Sequence, residues 1–307
     1  MGADGSGAVA DSGIYLYAVT SEAGEACLKL RGVLDAPVRK ISRGDLAAYV
    51  STVPLDQFGE EPLGHLLEDL DWVGGVARAH HRVVESVAEA GPTAPVRLVT
   101  VYSGEEQVRE LLARRHDDFL AVLSRVAGRR EWGVKAYVDP ESASHAGVGG
   151  PAERETSRGQ RAARPGTAYL QRRKANLRSR EDLWRHAVAC AERLHAALGE
   201  IAVAGRRHRP QDPQLSGRKE WMVLNGAYLV DEERSAEFAA AVMAFREAAA
   251  GAGPGTEADA GDGAGVGELG RVMGMDVSMD IELTGPWAPY SFTAVELETG
   301  GREGGAR

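Results

Sequence analysis

The stretch Asp276-Val277-Ser278-Met279-Asp280-Ile281-Glu282-Leu283-Thr284-Gly285-Pro286-Trp287-Ala288-Pro289-Tyr290-Ser291-Phe292 decides how the second half of this chain is read. Val277, Met279, Ile281 and Leu283 alternate with Asp276, Ser278, Asp280 and Glu282. Successive side chains of a strand point to opposite faces, so the spacing predicts a strand over 276–283 with one face buried. Pro286 and Pro289 lack backbone donors and fix φ, so the strand is expected to stop there and the chain to stay extended or turn. Aromatics make up only 6% of the chain, and Trp287, Tyr290 and Phe292 fall within six residues. Such a stiff apolar segment either plugs one end of a core or presents anchors to a partner.

This strand closes a cycle that begins at Trp132. Trp132, Val134, Ala136 and Val138 alternate until Asp139-Pro140. A helix is predicted over about 168–198, with Leu183, Ala187, Cys190, Ala191, Leu194 and Leu198 on one face. Strands follow at 201–204 and 220–230. Asp231 then opens a helix carrying Phe238, Val242, Phe245 and Ala249. The order β-α-β-β-α-β is the split βαβ, or ferredoxin-like, arrangement.

The first half has the same order. Strands are predicted at 14–19, 38–41, 46–52 and 96–102, with a short helix within 22–33 and a hairpin turn at Ser42-Arg43-Gly44-Asp45. Leu63, Leu66, Leu67, Leu70, Val73, Val76, Ala77, His80, Val83 and Val87 form one helical stripe that ends at Gly91-Pro92. Ser103 and Glu106 read as a capping box opening a helix over 105–128, with Gly128 closing it. The expected fold is therefore α+β. It has two ferredoxin-like domains, each an open antiparallel sheet with helices on one face, joined by long helices. The expected divisions are a disordered tail at 1–13, an N-terminal domain at 14–130 with the bridging helix 105–128, and a C-terminal domain at 131–299. The last contains a linker at 140–166 and a Gly-rich loop at 250–270; a flexible tail follows at 300–307.

Composition narrows the chemistry. A net charge of −9 gives no general attraction to nucleic acid or anionic membranes. Cys27 and Cys190 offer neither a disulfide framework nor metal-ligand spacing and fit a reducing cytoplasm. No run of 18 apolar residues is present, and residues 1–13 lack the basic start and apolar core of a signal peptide. Gly265-Val266-Gly267-Glu268-Leu269-Gly270 matches G-x-G-x-x-G, but it follows a Gly/Ala/Asp tract and precedes a strand, the wrong context for a dinucleotide site. His80 lies on an apolar stripe and reads as a core histidine; His81 with Glu85 makes a metal pair at most. Asp69 and Asp71 read as solvated. No catalytic residue, cofactor or metal site is expected.

Residues 152–185 hold ten Lys/Arg against four Asp/Glu, a local charge of +6 that leaves −15 for the rest. Basic arms often bind nucleic acid, yet only Tyr169 and Trp184 interleave here. A solvated helix face that pairs with acidic surfaces is the expected role.

Four ordered stretches, spanning about 14–298, resemble the gas vesicle protein F/L family (GvpF/GvpL). They are Ile14–Val19, Ala94–Tyr102, Glu131–Val138, and Gly166–Lys174 taken with Leu283–Phe292. Two departures stand out: Leu98-Val99 where the family often has Phe-Gly, and Ala288 where it commonly has proline. The resemblance implies two ferredoxin-like domains and a non-enzymatic, accessory or minor structural role in gas vesicles, the air-filled protein shells that give buoyancy. It implies a cytoplasmic, gas-vesicle location. The implied partners are the major hydrophobic shell protein and other accessory proteins, with no nucleic acid, membrane or small-molecule substrate. Trp287, Tyr290 and Phe292, and the basic face carrying Arg172, Arg173 and Lys174, are the candidate interaction residues. A small-ligand-binding regulatory module is the alternative, because paired ferredoxin-like domains often bind amino acids or nucleotides.

Overall fold

The computed structural model describes residues 11–21, 29–142, 165–211, 218–250 and 277–293. They fall into two compact units, one within Met1–Glu131 and Trp287–Arg307, the other within Trp132–Pro286. The expected domain boundary lies at 130/131; the chain passes between units at 131/132 and returns at 286/287.

The first unit is built on β1 (Ser12–Ser21), β2 (Arg39–Arg43), β3 (Leu46–Pro54), β4 (Thr93–Pro95) and β5 (Val101–Tyr102). The sheet order is β2-β3-β1-β4, with β5 also on β1. β1 is antiparallel to β3, β4 and β5, and β2 to β3. The β2–β3 turn has two residues and places Gly44 at φ 62°, a conformation glycine takes at little cost.

The expected single covered face is corrected here. Ile14, Leu16 and Val19 belong to one core with α4 (Glu105–Arg114) and α5 (His116–Val126). Tyr15, Tyr17 and Ala18 belong to another with α3 (Leu70–Ala90). Helices thus cover both faces, which is why Ile14–Val19 is an unbroken apolar run without alternation. A register irregularity between Leu16 and Ala18 reassigns the side chains, so Val19 joins the face of Leu16.

Three helical expectations also change. The stripe from Leu63 to Val87 is two helices, α2 (Glu60–Leu66) and α3, following a single turn, α1 (Leu55–Phe58). Asp69, expected to be merely solvated, caps α3: its Oδ1 accepts from the Asp71 and Trp72 N–H groups at 3.0 and 3.1 Å. The break leaves Leu67 and Leu70 at the surface, the latter 83% exposed. The helix expected over 105–128 is divided at Arg115, and both pieces pack on the first unit's sheet. Its capping box does not form: Gly104 is the cap, and Gln107 Oε1 reaches back to the Ser103 N–H at 2.9 Å. The strand expected over 96–102 is interrupted between β4 and β5, with Val99 at φ 61°.

Tyr17 ties β1 to the segment after it. Its hydroxyl donates to Ser51 Oγ at 3.0 Å and accepts from the Val33 N–H at 2.9 Å. A Cβ on Gly32 would fall 1.9 Å from that oxygen. Gly32→Ala is therefore expected to displace the ring and cost about 2 kcal/mol, read as a lower urea midpoint; an unchanged midpoint would refute the account.

The second unit is built on β6 (Arg129–Val138), α6 (Pro165–Ile201), β7 (Ala204–Arg207), β8 (Trp221–Asp231), α7 (Ser235–Ala250) and β9 (Asp280–Trp287). Its sheet order is β7-β8-β6-β9. Trp132, Val134, Ala136 and Val138 of β6 share one core with Ala187, Cys190, Ala191, Leu194 and Leu198 of α6 and Phe238, Val242 and Phe245 of α7. Val277, Met279 and Ile281 are buried in it as their alternation predicts. β9 begins later than expected and runs through Pro286 to Trp287. It is an edge strand, where a missing N–H interrupts no ladder on the open side. The expected strand at 201–204 is likewise displaced, to Ala204–Arg207, because α6 continues to Ile201.

The expected linker and Gly-rich loop lie mostly, and the G-x-G-x-x-G segment entirely, outside the described residues, as do both expected tails apart from residues 11–13 and most of the helix within 22–33.

Candidate functional site

The C-terminal aromatic segment docks in the first unit, and its residues divide in role. Ala288 and Phe292 are fully buried, at 0% and 2% exposure, and Tyr290 is half-buried. Trp287 keeps 41% of its surface exposed, with its ring 5.3 Å from that of His81 on α3. His81 also stacks on Tyr290 at 6.4 Å. The segment thus enters the first unit's core through Ala288, with Tyr290 packed against it, buries Phe292 and leaves an indole at the surface.

Two carboxylates hold this segment. Glu85 Oε1 accepts from the Ala288 N–H at 2.7 Å, while its Oε2 pairs with Arg130 at 2.7 Å. Glu131 accepts from the Ser291 N–H at 2.7 Å and from its hydroxyl at 2.6 Å. The Thr293 hydroxyl donates to the Pro95 carbonyl at 3.3 Å. Behind the segment, His80 is 3% exposed and its Nδ1 lies 3.0 Å from the Tyr15 hydroxyl. The Val99 N–H donates to that same hydroxyl, so the Tyr15 O–H is free to donate to Nδ1. Burial pushes His80 down to about pKa 4; the Val96 backbone opposes this and neighbouring His81 adds to it.

The second unit carries a different surface. Leu177, Arg180, Glu181, Trp184 and Arg185 line one side of a groove of about 820 Å³; among the described residues, Pro210, Gln211, Trp221 and Met222 also line it. Leu177 is 55% and Trp184 42% exposed. The Trp184 and Trp221 rings meet edge to face at 5.6 Å, and the Arg180 guanidinium lies over Trp221, 5.0 Å from the ring centre. Arg185 pairs with Asp182 at 3.0 Å. The fully buried stripe of α6 begins at Ala187, with Leu183 partly buried against the same core, and Arg173, Lys174 and Arg178 on the turns before it are exposed. Arg172 lies on the same helix, its side chain outside the description. Sequence reading pointed to this helix but missed the groove, because Trp221 joins Trp184 only through the packing of β8 on α6. The available signal was Leu177 and Trp184 two turns apart on a basic helix.

On the second unit's sheet, Arg218 pairs with Asp280 at 3.0 Å and with Glu282, and covers the Tyr137 ring at 4.1 Å. Among the described residues, no group of three or more His, Cys, Asp and Glu side chains could hold a metal ion. No described helix is long and apolar enough to cross a membrane.

These features define a mixed α+β protein with two sheet-bearing units. The chain belongs to the gas vesicle synthesis protein GvpL/GvpF family, whose model matches residues 13–253. It is 39% identical over 285 residues to gas vesicle protein L of Streptomyces sp. (strain CB03234), covering 92% of this chain and 94% of that one. It is 29% identical over 228 residues to gas vesicle protein F of the same strain, covering 72% and 84%. The fold is similar to the crystal structure of GvpF from Anabaena sp. PCC7120, with TM-score 0.58 at 18% identity over 93% of this chain and 98% of that one. GvpF from Microcystis aeruginosa gives 0.55 at 19%, over 92% and 99%.

Proposed function

We propose that this protein is an accessory or minor structural component of gas vesicles. It binds the hydrophobic shell protein and other accessory proteins during nucleation and assembly, in the cytoplasm and without catalysis. The near full-length similarity to gas vesicle protein L carries this reading. Of the two Streptomyces relatives, the greater identity is to L rather than F, which favours the L role. Exposed Trp184 and Trp287 and the basic turns of α6 suit a binder that shields apolar surface on a shell subunit. The strand order 2-3-1-4 within each unit supports reading both as ferredoxin-like domains.

Co-expression with the major shell protein tests the role. Wild type is expected to co-purify with the shell protein and keep it soluble, and Trp287→Ala, checked by circular dichroism, to reduce capture. Failure of folded wild type to capture any gas vesicle component would defeat the reading. The groove's volume also falls within the range of small-ligand sites, which favours a regulatory module as the second reading. A thermal-shift screen with amino acids and nucleotides separates the two, since only ligand binding raises Tm.

A further inference from the structure

We infer that the groove on α6 receives an amphipathic helix of a partner whose apolar stripe is flanked by Asp and Glu. This deepens the assembly role proposed above, and rests on it for the identity of the partner.

The lining of the groove sets the shape of the occupant. Leu177, Arg180, Glu181, Trp184 and Arg185 stand at i, i+3, i+4, i+7 and i+8 of α6, a single face two turns long. A second helix fits such a face, because side-chain ridges at helical spacing fill the gaps between these residues. Its anchors at i, i+3 or i+4 and i+7 would meet Leu177, the edge-to-face Trp184–Trp221 pair and Met222. The exposed Leu177 and Trp184 supply apolar area that such a partner would remove from water.

Charge sets the occupant's sign. Residues 172–185 carry six Lys/Arg against Glu181 and Asp182, a local charge of +4 in a chain of −9. A second lining segment, Pro210-Gln211, directly follows the exposed run Arg206-Arg207-His208-Arg209, in which Arg207 pairs with Glu192 at 2.7 Å. Carboxylates along the rim would find arginines on both segments, whereas a basic helix would meet like charge. Arg180 over Trp221 and Arg185 beside Asp182 are already held at the rim, which lowers the ordering cost of binding.

The test uses the full chain and a fluorescent synthetic peptide of about five turns, with a leucine stripe flanked by glutamates. A matched peptide carries lysine for each glutamate. Wild type is expected to bind the acidic peptide at least about tenfold more tightly than the basic one, with affinity falling as salt rises. Arg180→Glu/Arg185→Glu should reverse the preference, and Trp184→Ala should weaken both peptides. Equal binding of the two peptides, or binding of neither, overturns the inference. So does a dimer of wild type that Trp184→Ala dissociates, or a metabolite-induced Tm rise that Trp184→Ala abolishes, since each assigns the groove another occupant. The salt dependence of wild type stands even where a variant fails to fold. Shell protein captured equally by wild type and the double variant removes the groove assignment and leaves the assembly role. Acidic-peptide binding by a wild type that captures no gas vesicle component removes the assembly role and leaves the acidic-helix site.

Discussion

Glu85→Ala is expected to destabilise the first unit by about 3 kcal/mol. The substitution strips a partner from two groups at once: the Arg130 guanidinium and the Ala288 N–H. Both side chains of the ion pair are mostly buried, Arg130 at 16% and Glu85 at 19% exposure, so the orphaned cation cannot be fully rehydrated. The low end of the range for a broken buried pair is appropriate because neither side chain is wholly enclosed. Glu85→Gln keeps an oxygen for Ala288 and should cost less. The double variant Glu85→Ala/Arg130→Met removes the unpaired charge and should recover much of the loss, a coupling that a double-mutant cycle in urea reads directly. Additive single losses would show that the pair is not a unit.

Acidification provides the second large effect. The His80 pKa is lowered from 6.5 to about 4 in the folded state, chiefly by burial. A depressed histidine binds fewer protons folded than unfolded. Its stabilising contribution is therefore complete above pH 6.5 and is lost as pH falls through 6.5 toward 4. The loss amounts to about 2 kcal/mol between pH 7 and pH 5, and about 3 kcal/mol in full. The groups around the ring cannot offset it. Tyr15, Tyr17 and Tyr290 are neutral phenols whose pKa values burial raises further, and His81 adds repulsion. His116 works in the opposite direction, because hydrogen bonds to Asp117 and Asp45 raise its pKa, but it is solvent-exposed. His80→Leu should flatten the pH dependence of unfolding between pH 7 and pH 5. A slope identical to wild type would assign the acid sensitivity elsewhere.

The sequence discloses local patterns in this protein and conceals the long-range pairings. The alternation at Val277, Met279 and Ile281 and the stripe from Ala187 to Leu198 announce their buried faces because burial acts at the period of the element. The run Ile14–Val19 carries its own message, double coverage, which a β-α-β-β-α-β reading with one covered face overlooks. At Asp69, two signals compete. Leu63, Leu66, Leu67 and Leu70 continue the helical period, while an aspartate before the first turn ends it; the cap wins, and Leu70 is left in solvent. The clamp on the C-terminal segment joins Glu85 to Ala288 and Glu131 to Ser291, and neither spacing follows a rule of secondary structure. Trp184 and Trp221 meet for the same non-local reason.

The return of the chain to the first unit at Trp287 has a consequence on the ribosome. The carboxylates Glu85 and Glu131 are made early, but the Ala288 and Ser291 groups that they bind emerge only after the 155 residues from 132 to 286. At ordinary rates of elongation that delay is roughly 10–30 s. Throughout it the helix face of His81 and Glu85 stands uncovered, and the nascent first unit lacks Phe292 from its interior. The segment that seals the first unit is thus translated after the whole of the second, so a chain stopped before codon 287 holds β6, β7, β8 and all of β9 but its last residue, while its first unit is still open.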